Sequence, residues 1–234
     1  MKRYLIILLS ILMLSCSSLR MYRDLPEVKA WESEIVKFEQ LDISKSYPSN
    51  AVLFAGSSSI RLWSTIGKDM LPYNVIQRGY GGARLSDFAV YADRIVYPHD
   101  CSAIVLFIPN DISGDQNDKS PEQVAQLFRK TLFIIRRKFP RTPVFWIGIT
   151  PTSARWHVWP DIKKTNEMIR KICENHHHTY YIHTEQAFLN ASGLPRNELF
   201  ASDKLHLNEN GYALWAEIIK KELNRVLEKQ VINK

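Results

Sequence analysis

Hydrophobic and polar positions along the chain fall into two alternating patterns. Short runs of strand character occur at 51–55 ("AVLFA"), 74–77, 103–108 ("AIVLFI"), 143–149 ("PVFWIGI") and 179–182 ("TYYI"). Between and after them, apolar residues recur at helical spacing over 60–66, 85–95, 121–139, 161–176 and 208–228. Ahead of the first run, Val28, Trp31, Ile35, Phe38 and Leu41 keep the same period, so a helix is expected from 28 to 41. Strands that are apolar throughout are covered on both faces, and strands divided by helices build a parallel sheet with right-handed crossovers. The pattern predicts an α/β fold: one three-layer α/β/α sandwich on a mostly parallel five-stranded sheet, occupying residues 28–234. No internal repeat or low-complexity linker divides it. In such sheets functional residues gather on the loops after the carboxyl ends of the strands.

The first sixteen residues, "MKRYLIILLSILMLSC", read differently: a basic start, an apolar stretch of roughly ten residues, then Ser15-Cys16. A run this short with these flanks is an export signal rather than a spanning helix. Its end resembles a bacterial lipoprotein box, with Cys16 as the lipidated residue and Met13 where that pattern prefers leucine. An ordinary cleaved signal or an uncleaved anchor are the alternatives. Residues 17–27, polar and basic, read as a tether. The body is therefore expected outside the cytoplasm, held at the bacterial cell envelope by lipid on Cys16.

Net charge is +7, and two of the positive residues, Lys2 and Arg3, lie in the export segment. The remainder is spread out with no arginine-rich run, which argues against a nucleic-acid partner. Cys101 and Cys173 sit in no CxxC or ligand-like cluster and read as buried thiols, although an exported chain could pair them.

Candidate chemistry lies on four loops. The first strand runs into Gly56-Ser57-Ser58-Ser59, the second into "QRGYGGAR" (77–84) and the third into "IPNDISGD" (108–115); "ASDKLHLNENGY" (201–212) precedes the last helix. A serine between strand and helix has its backbone N–H at a positive helix end, where a developing anion would be stabilised, although serine also caps helices routinely. As a nucleophile it needs a base. Asp203 and His206, three residues apart, can share a turn in which the carboxylate holds one imidazole tautomer. The amide of Asn110 could point at an oxyanion, or Asn110-Asp111 could simply make a turn.

Taken in this order, the loops resemble the SGNH/GDSL hydrolases, serine esterases and acylhydrolases of flavodoxin-like α/β/α form, over roughly residues 49–222. The family's Gly-Asp-Ser-Leu block falls on residues 56–59, with Ser57 in place of the aspartate. Its Gly-x-Asn-Asp block falls on residues 108–111, with Ile108 in place of the glycine, and its Asp-x-x-His block on Asp203 to His206. The resemblance implies that Ser58 is the nucleophile, His206 the base and Asp203 its orienting carboxylate. The oxyanion hole is then Ser58, Gly82 and Asn110, and no cofactor or metal is needed. Ser57 and Ser59 are expected to cap and brace the turn, and Ile108 to crowd its loop or narrow the acyl side of the pocket.

In "PTSARWHVWP" (151–160), Trp156 and Trp159 could stack on a sugar ring and Arg155 could fix an acid or carbonyl group, which favours a small or carbohydrate ester, acetyl above all. Lysophospholipase or thioesterase action on lipid acyl esters, and non-catalytic glycan binding on the same fold, stay open. Three features are read as carrying no chemistry. His176-His177-His178 is a solvated helix end, Asp111, Asp115 and Asp118 are loop polarity rather than a calcium loop, and Gly79, Gly81 and Gly82 do not spell a nucleotide-binding GxGxxG.

Overall fold

The structure, a computed structural model, describes residues 19–232; the export segment and Cys16 lie outside them. Five parallel strands, β1 (Ala51–Gly56), β2 (Val75–Gly79), β3 (Cys101–Phe107), β4 (Val144–Ile147) and β5 (Thr179–Ile182), form one sheet in the order β2-β1-β3-β4-β5. This is the flavodoxin-like order, with its topological switch at β1 and β3.

Alternation along each strand builds two cores. Leu53, Ala55, Ile104, Leu106, Val144 and Trp146 face one layer, while Val52, Phe54, Val105, Phe107, Phe145 and Ile147 face the other. The first layer holds α1 (Pro26–Lys29), α2 (Glu32–Ser44), α5 (Leu85–Val96), α6 (Pro121–Lys138) and α7 (Trp159–Glu174). The second holds α3 (Ser58–Arg61), α4 (Ile66–Asp69) and α8 (Glu209–Ile232). Local rules start α6: Pro121 occupies the first turn, the Gln123 N–H donates to Ser120 Oγ, and the Ser120 N–H donates to Gln123 Oε1. Its stripe of Val124, Leu127, Phe128, Leu132 and Ile135 is buried.

The structure differs from the expected pattern of helices at three places, and it adds a short helical stretch ahead of α1. The helix expected over 60–66 is broken into α3 and α4, because Gln77 Nε2 donates to the carbonyls of Ile60 (2.6 Å) and Trp63 (3.1 Å) that a continuous helix would use. The helix expected from 28 to 41 is divided at Ala30-Trp31, and residues 19–23 of the expected tether are helical. Helix α7 ends at Glu174, so His176–His178 lie on the turn into β5, with His178 in the left-handed region.

Gly56, the last residue of β1, sets where that strand may turn. Its φ is +148°, and an added Cβ would lie 2.0 Å from the Phe107 carbonyl oxygen. Gly56→Ala is expected to cost about 2–5 kcal/mol of stability, read as a lowered denaturant midpoint.

Candidate active site

The turn out of β1 brings Ser58 to the first position of α3, with its hydroxyl beside the carboxyl end of the sheet. His206 arrives from the far end of the chain on a loop stapled in several ways. Phe200 and Leu207 form an antiparallel bridge, the Ala201 N–H donates to the His206 carbonyl at 2.8 Å, and Asn208 Nδ2 donates to the carbonyls of Glu198 and Phe200. Asn208 Oδ1 also accepts the Gly211 N–H at the start of α8. Lys204 takes a left-handed conformation (φ +55°) that tightens the turn between Asp203 and His206.

These elements place His206 Nε2 2.9 Å from Ser58 Oγ and His206 Nδ1 2.6 Å from Asp203 Oδ2. The second carboxylate oxygen of Asp203 accepts the N–H groups of Leu205 and His206, both at 3.0 Å. The carboxylate is thus fixed at one oxygen by backbone and at the other by imidazole. A hydroxyl, an imidazole and a carboxylate joined in series can move a proton off the hydroxyl.

Ser58, His206 and Asn110 line one cleft, whose apolar walls include Phe107, Ile149, Phe200, Leu205, Leu207 and Trp215. Asn110 Nδ2 donates to the Ala83 carbonyl at 2.9 Å. Gly82 is not among the lining residues; it sits one residue before Ala83, at φ +76°, on the loop that Asn110 clasps. Two buried carboxylates hold that loop from beneath. Asp111 Oδ2 accepts the Leu85 N–H at 2.6 Å, and Asp87 accepts the Tyr80 hydroxyl and the Arg84 N–H. Burial raises both carboxyls, Asp87 to about 7 against the opposing hydrogen bonds from Tyr80 and Arg84. Trp31 packs on Tyr80, with ring centroids 5.1 Å apart, and lies over Gly82.

A family model for the GDSL-like lipase/acylhydrolases matches residues 54–214. The chain belongs to the GDSL-like lipase/acylhydrolase family. It is a carboxylic ester hydrolase. Solved structures similar to the hydrolase include a GDSL-like lipase from Bacteroides thetaiotaomicron (14% identity, 82% of this chain and 97% of that one, TM-score 0.67). Others are a carbohydrate esterase family 3 protein from Talaromyces cellulolyticus (17%, 77% and 99%, 0.59) and an acetyl xylan esterase (19%, 74% and 99%, 0.61). At these identities the likeness is one of fold. No curated protein matches the sequence significantly.

The expectations for Ser57, Ser59, Ile108 and Asp111 need correction. Ser57 makes no side-chain cap, and its Oγ is buried without a partner. Ser59 contributes its carbonyl, which accepts the Tyr212 hydroxyl at 2.9 Å. The Ser57 N–H donates to the Phe107 carbonyl at 3.0 Å. Ile108 is fully buried in the core and does not line the cleft. Trp156 does not line it either: the 3₁₀ turn over Ser153–Val158 stacks it on Trp159, at 5.7 Å and 13°. Arg155 does line it. Asp111 is a buried anchor of the Gly82 loop rather than loop polarity, a role that the flanking Asn-Asp pair signals only when the partner N–H is known. Cys101 and Cys173 are buried thiols, as the sequence suggests, and are free; burial pushes both up to about 12. Among the described residues no group of side chains could hold a metal ion, and no helix is long and apolar enough to cross a membrane.

Asp203 has a carboxyl held at about 2: its burial, which would raise it, is outweighed by hydrogen bonds from the His206 ring and from the backbone of His206 and Leu205. With its folded value below the ordinary 3.8, its contribution to folding is present above that range and is lost as pH falls toward 2. Asp203 therefore stays ionised throughout the range in which the hydrolase can be assayed. The acid limb of log kcat/KM against pH should therefore have a slope of one; a slope of two would bring Asp203 into the titration.

Proposed function

We propose that the chain removes small acyl groups, acetyl above all, from a carbohydrate or other small alcohol through a covalent acyl-enzyme. Ser58 Oγ attacks the ester carbonyl while His206 Nε2 takes its proton, and Asp203 holds the imidazole and stabilises its charged form. The backbone N–H groups of Ser58 and Gly82 and the Asn110 side chain receive the developing oxyanion. His206 then gives its proton to the departing alcohol, and it activates the water that frees the acid. The observation carrying this reading is the unbroken series from Ser58 through His206 to Asp203, at 2.9 and 2.6 Å.

The acetyl and carbohydrate preference is supported by the acetyl xylan esterase and the carbohydrate esterase among structures of the same fold. Cys16 and the segment before it support a lipid-anchored place at the cell envelope. The test is hydrolysis of p-nitrophenyl esters from acetyl to palmitoyl, alongside labelling by a fluorophosphonate. Acetyl ester should be turned over fastest, and the label should sit on Ser58. Fastest turnover of palmitoyl ester would move the substrate to lipids. A chain that neither turns over ester nor takes the label would be a binding protein.

A further inference from the structure

Arg155 is a half-buried cation, and no ion pair among the described residues includes it. A guanidinium taken from water without a carboxylate costs stability unless its N–H groups find other acceptors. Arg155 finds two, both on the loop after β3. One terminal nitrogen donates to Asn110 Oδ1 at 2.7 Å and the other to the Pro109 carbonyl at 3.2 Å. Its own turn is tied down beforehand. The Arg155 N–H donates to Thr152 Oγ1, and the Ala154 N–H donates to the Lys204 carbonyl, next to Asp203. Asp118 and Arg84 are the other charged groups that act on it.

We infer that Arg155 is a positioning residue that fixes which way the Asn110 amide faces, and so presents an N–H to the oxyanion; this rests on the esterase reading above. A free asparagine amide is close to a two-fold rotor, with oxygen and nitrogen exchanging places. Here one orientation satisfies both neighbours: Oδ1 accepts from Arg155, and Nδ2 donates to the Ala83 carbonyl at 2.9 Å. The flipped amide would set its NH₂ against a guanidinium and its oxygen against a carbonyl. Held as observed, Nδ2 keeps a second N–H for the cleft that Asn110 lines. The charged hydrogen bond at Oδ1 also polarises the amide and strengthens its N–H groups as donors. The gain is largest when the carbonyl oxygen carries charge, so it belongs to turnover rather than to substrate binding.

The experiment is a double-mutant cycle of Arg155→Met and Asn110→Ala, with Arg155→Gln beside it. Folding is checked by circular dichroism, and kcat and KM are measured on p-nitrophenyl acetate. Losing an oxyanion donor typically costs about 10²–10³ in kcat, so Arg155→Met should lose about 10–100-fold in kcat with KM changed less than about threefold. In the Asn110→Ala background the same change should lose less than about threefold, since there is no amide left to orient. Arg155→Gln, which keeps one donor for Oδ1, should recover part of kcat and serves the cycle should Met fail to fold. Losses that multiply across the cycle, or a loss confined to KM, would overturn the inference. A wild-type chain without turnover or Ser58 labelling would instead sink the esterase reading.

Discussion

Replacing His206 by alanine is expected to lower kcat on p-nitrophenyl acetate by about five to six orders of magnitude while leaving the fold intact. The ring is partly exposed, and the loop carrying it is held by contacts that do not use the imidazole: the Phe200–Leu207 bridge, the Ala201 N–H to the residue 206 carbonyl, and the Asn208 side chain. Truncation therefore leaves the backbone of residues 200–208 its own supports. It removes the acceptor 2.9 Å from Ser58 Oγ, and no second base takes its place: the other described residues lining the cleft are serine, threonine, asparagine, arginine and apolar side chains. Stopped-flow or overnight hydrolysis measures the residual rate, with a thermal melt to show that stability is nearly unchanged. A loss of only tenfold would mean that His206 is not the base.

Asp203→Asn should cost about 10⁴ in kcat, and the reason is the tautomer it imposes. One carboxylate oxygen is bound by the N–H groups of Leu205 and His206, so the asparagine carbonyl must take that side. Its NH₂ then faces His206 Nδ1, which must offer a lone pair. The ring proton moves to Nε2, where the serine proton has to go. Asp203→Ala leaves the ring free to choose its tautomer and should lose less than Asp203→Asn. The two kcat values, measured side by side at neutral pH, check the order; equal losses would remove the tautomer as the cause.

How much of this could be read from the chain depended on the range of the interaction. Strands β1, β3 and β4 are legible because burial on both faces makes a strand apolar throughout, whereas the edge strand β2 alternates in burial, carries Gln77 and Arg78, and runs two residues past its expected end. The loops that carry Ser58, Asn110, Asp203 and His206 are legible because each lies at a strand end or just before a helix, while the choice of Ser58 among three serines comes from the resemblance to the SGNH/GDSL blocks. What stayed hidden was set by partners distant in sequence. Gln77 splits a helix that periodicity alone would continue, Arg155 reaches 45 residues back to Asn110, and Asp111 anchors Leu85 from 26 residues ahead. Trp156 is the opposite case: an aromatic beside a cleft invites a ligand, and in the structure it stacks on its sequence neighbour Trp159.

Ser58 and His206 meet across 148 residues of sequence, and all five strands lie before the loop that supplies the imidazole. A nascent or truncated chain that stops short of residue 206 holds all five strand segments but lacks both the imidazole and α8, whose Trp215, Ile219 and Leu223 fill the second core. On the proposed triad, ester turnover should therefore report the docking of the final loop and helix against the sheet.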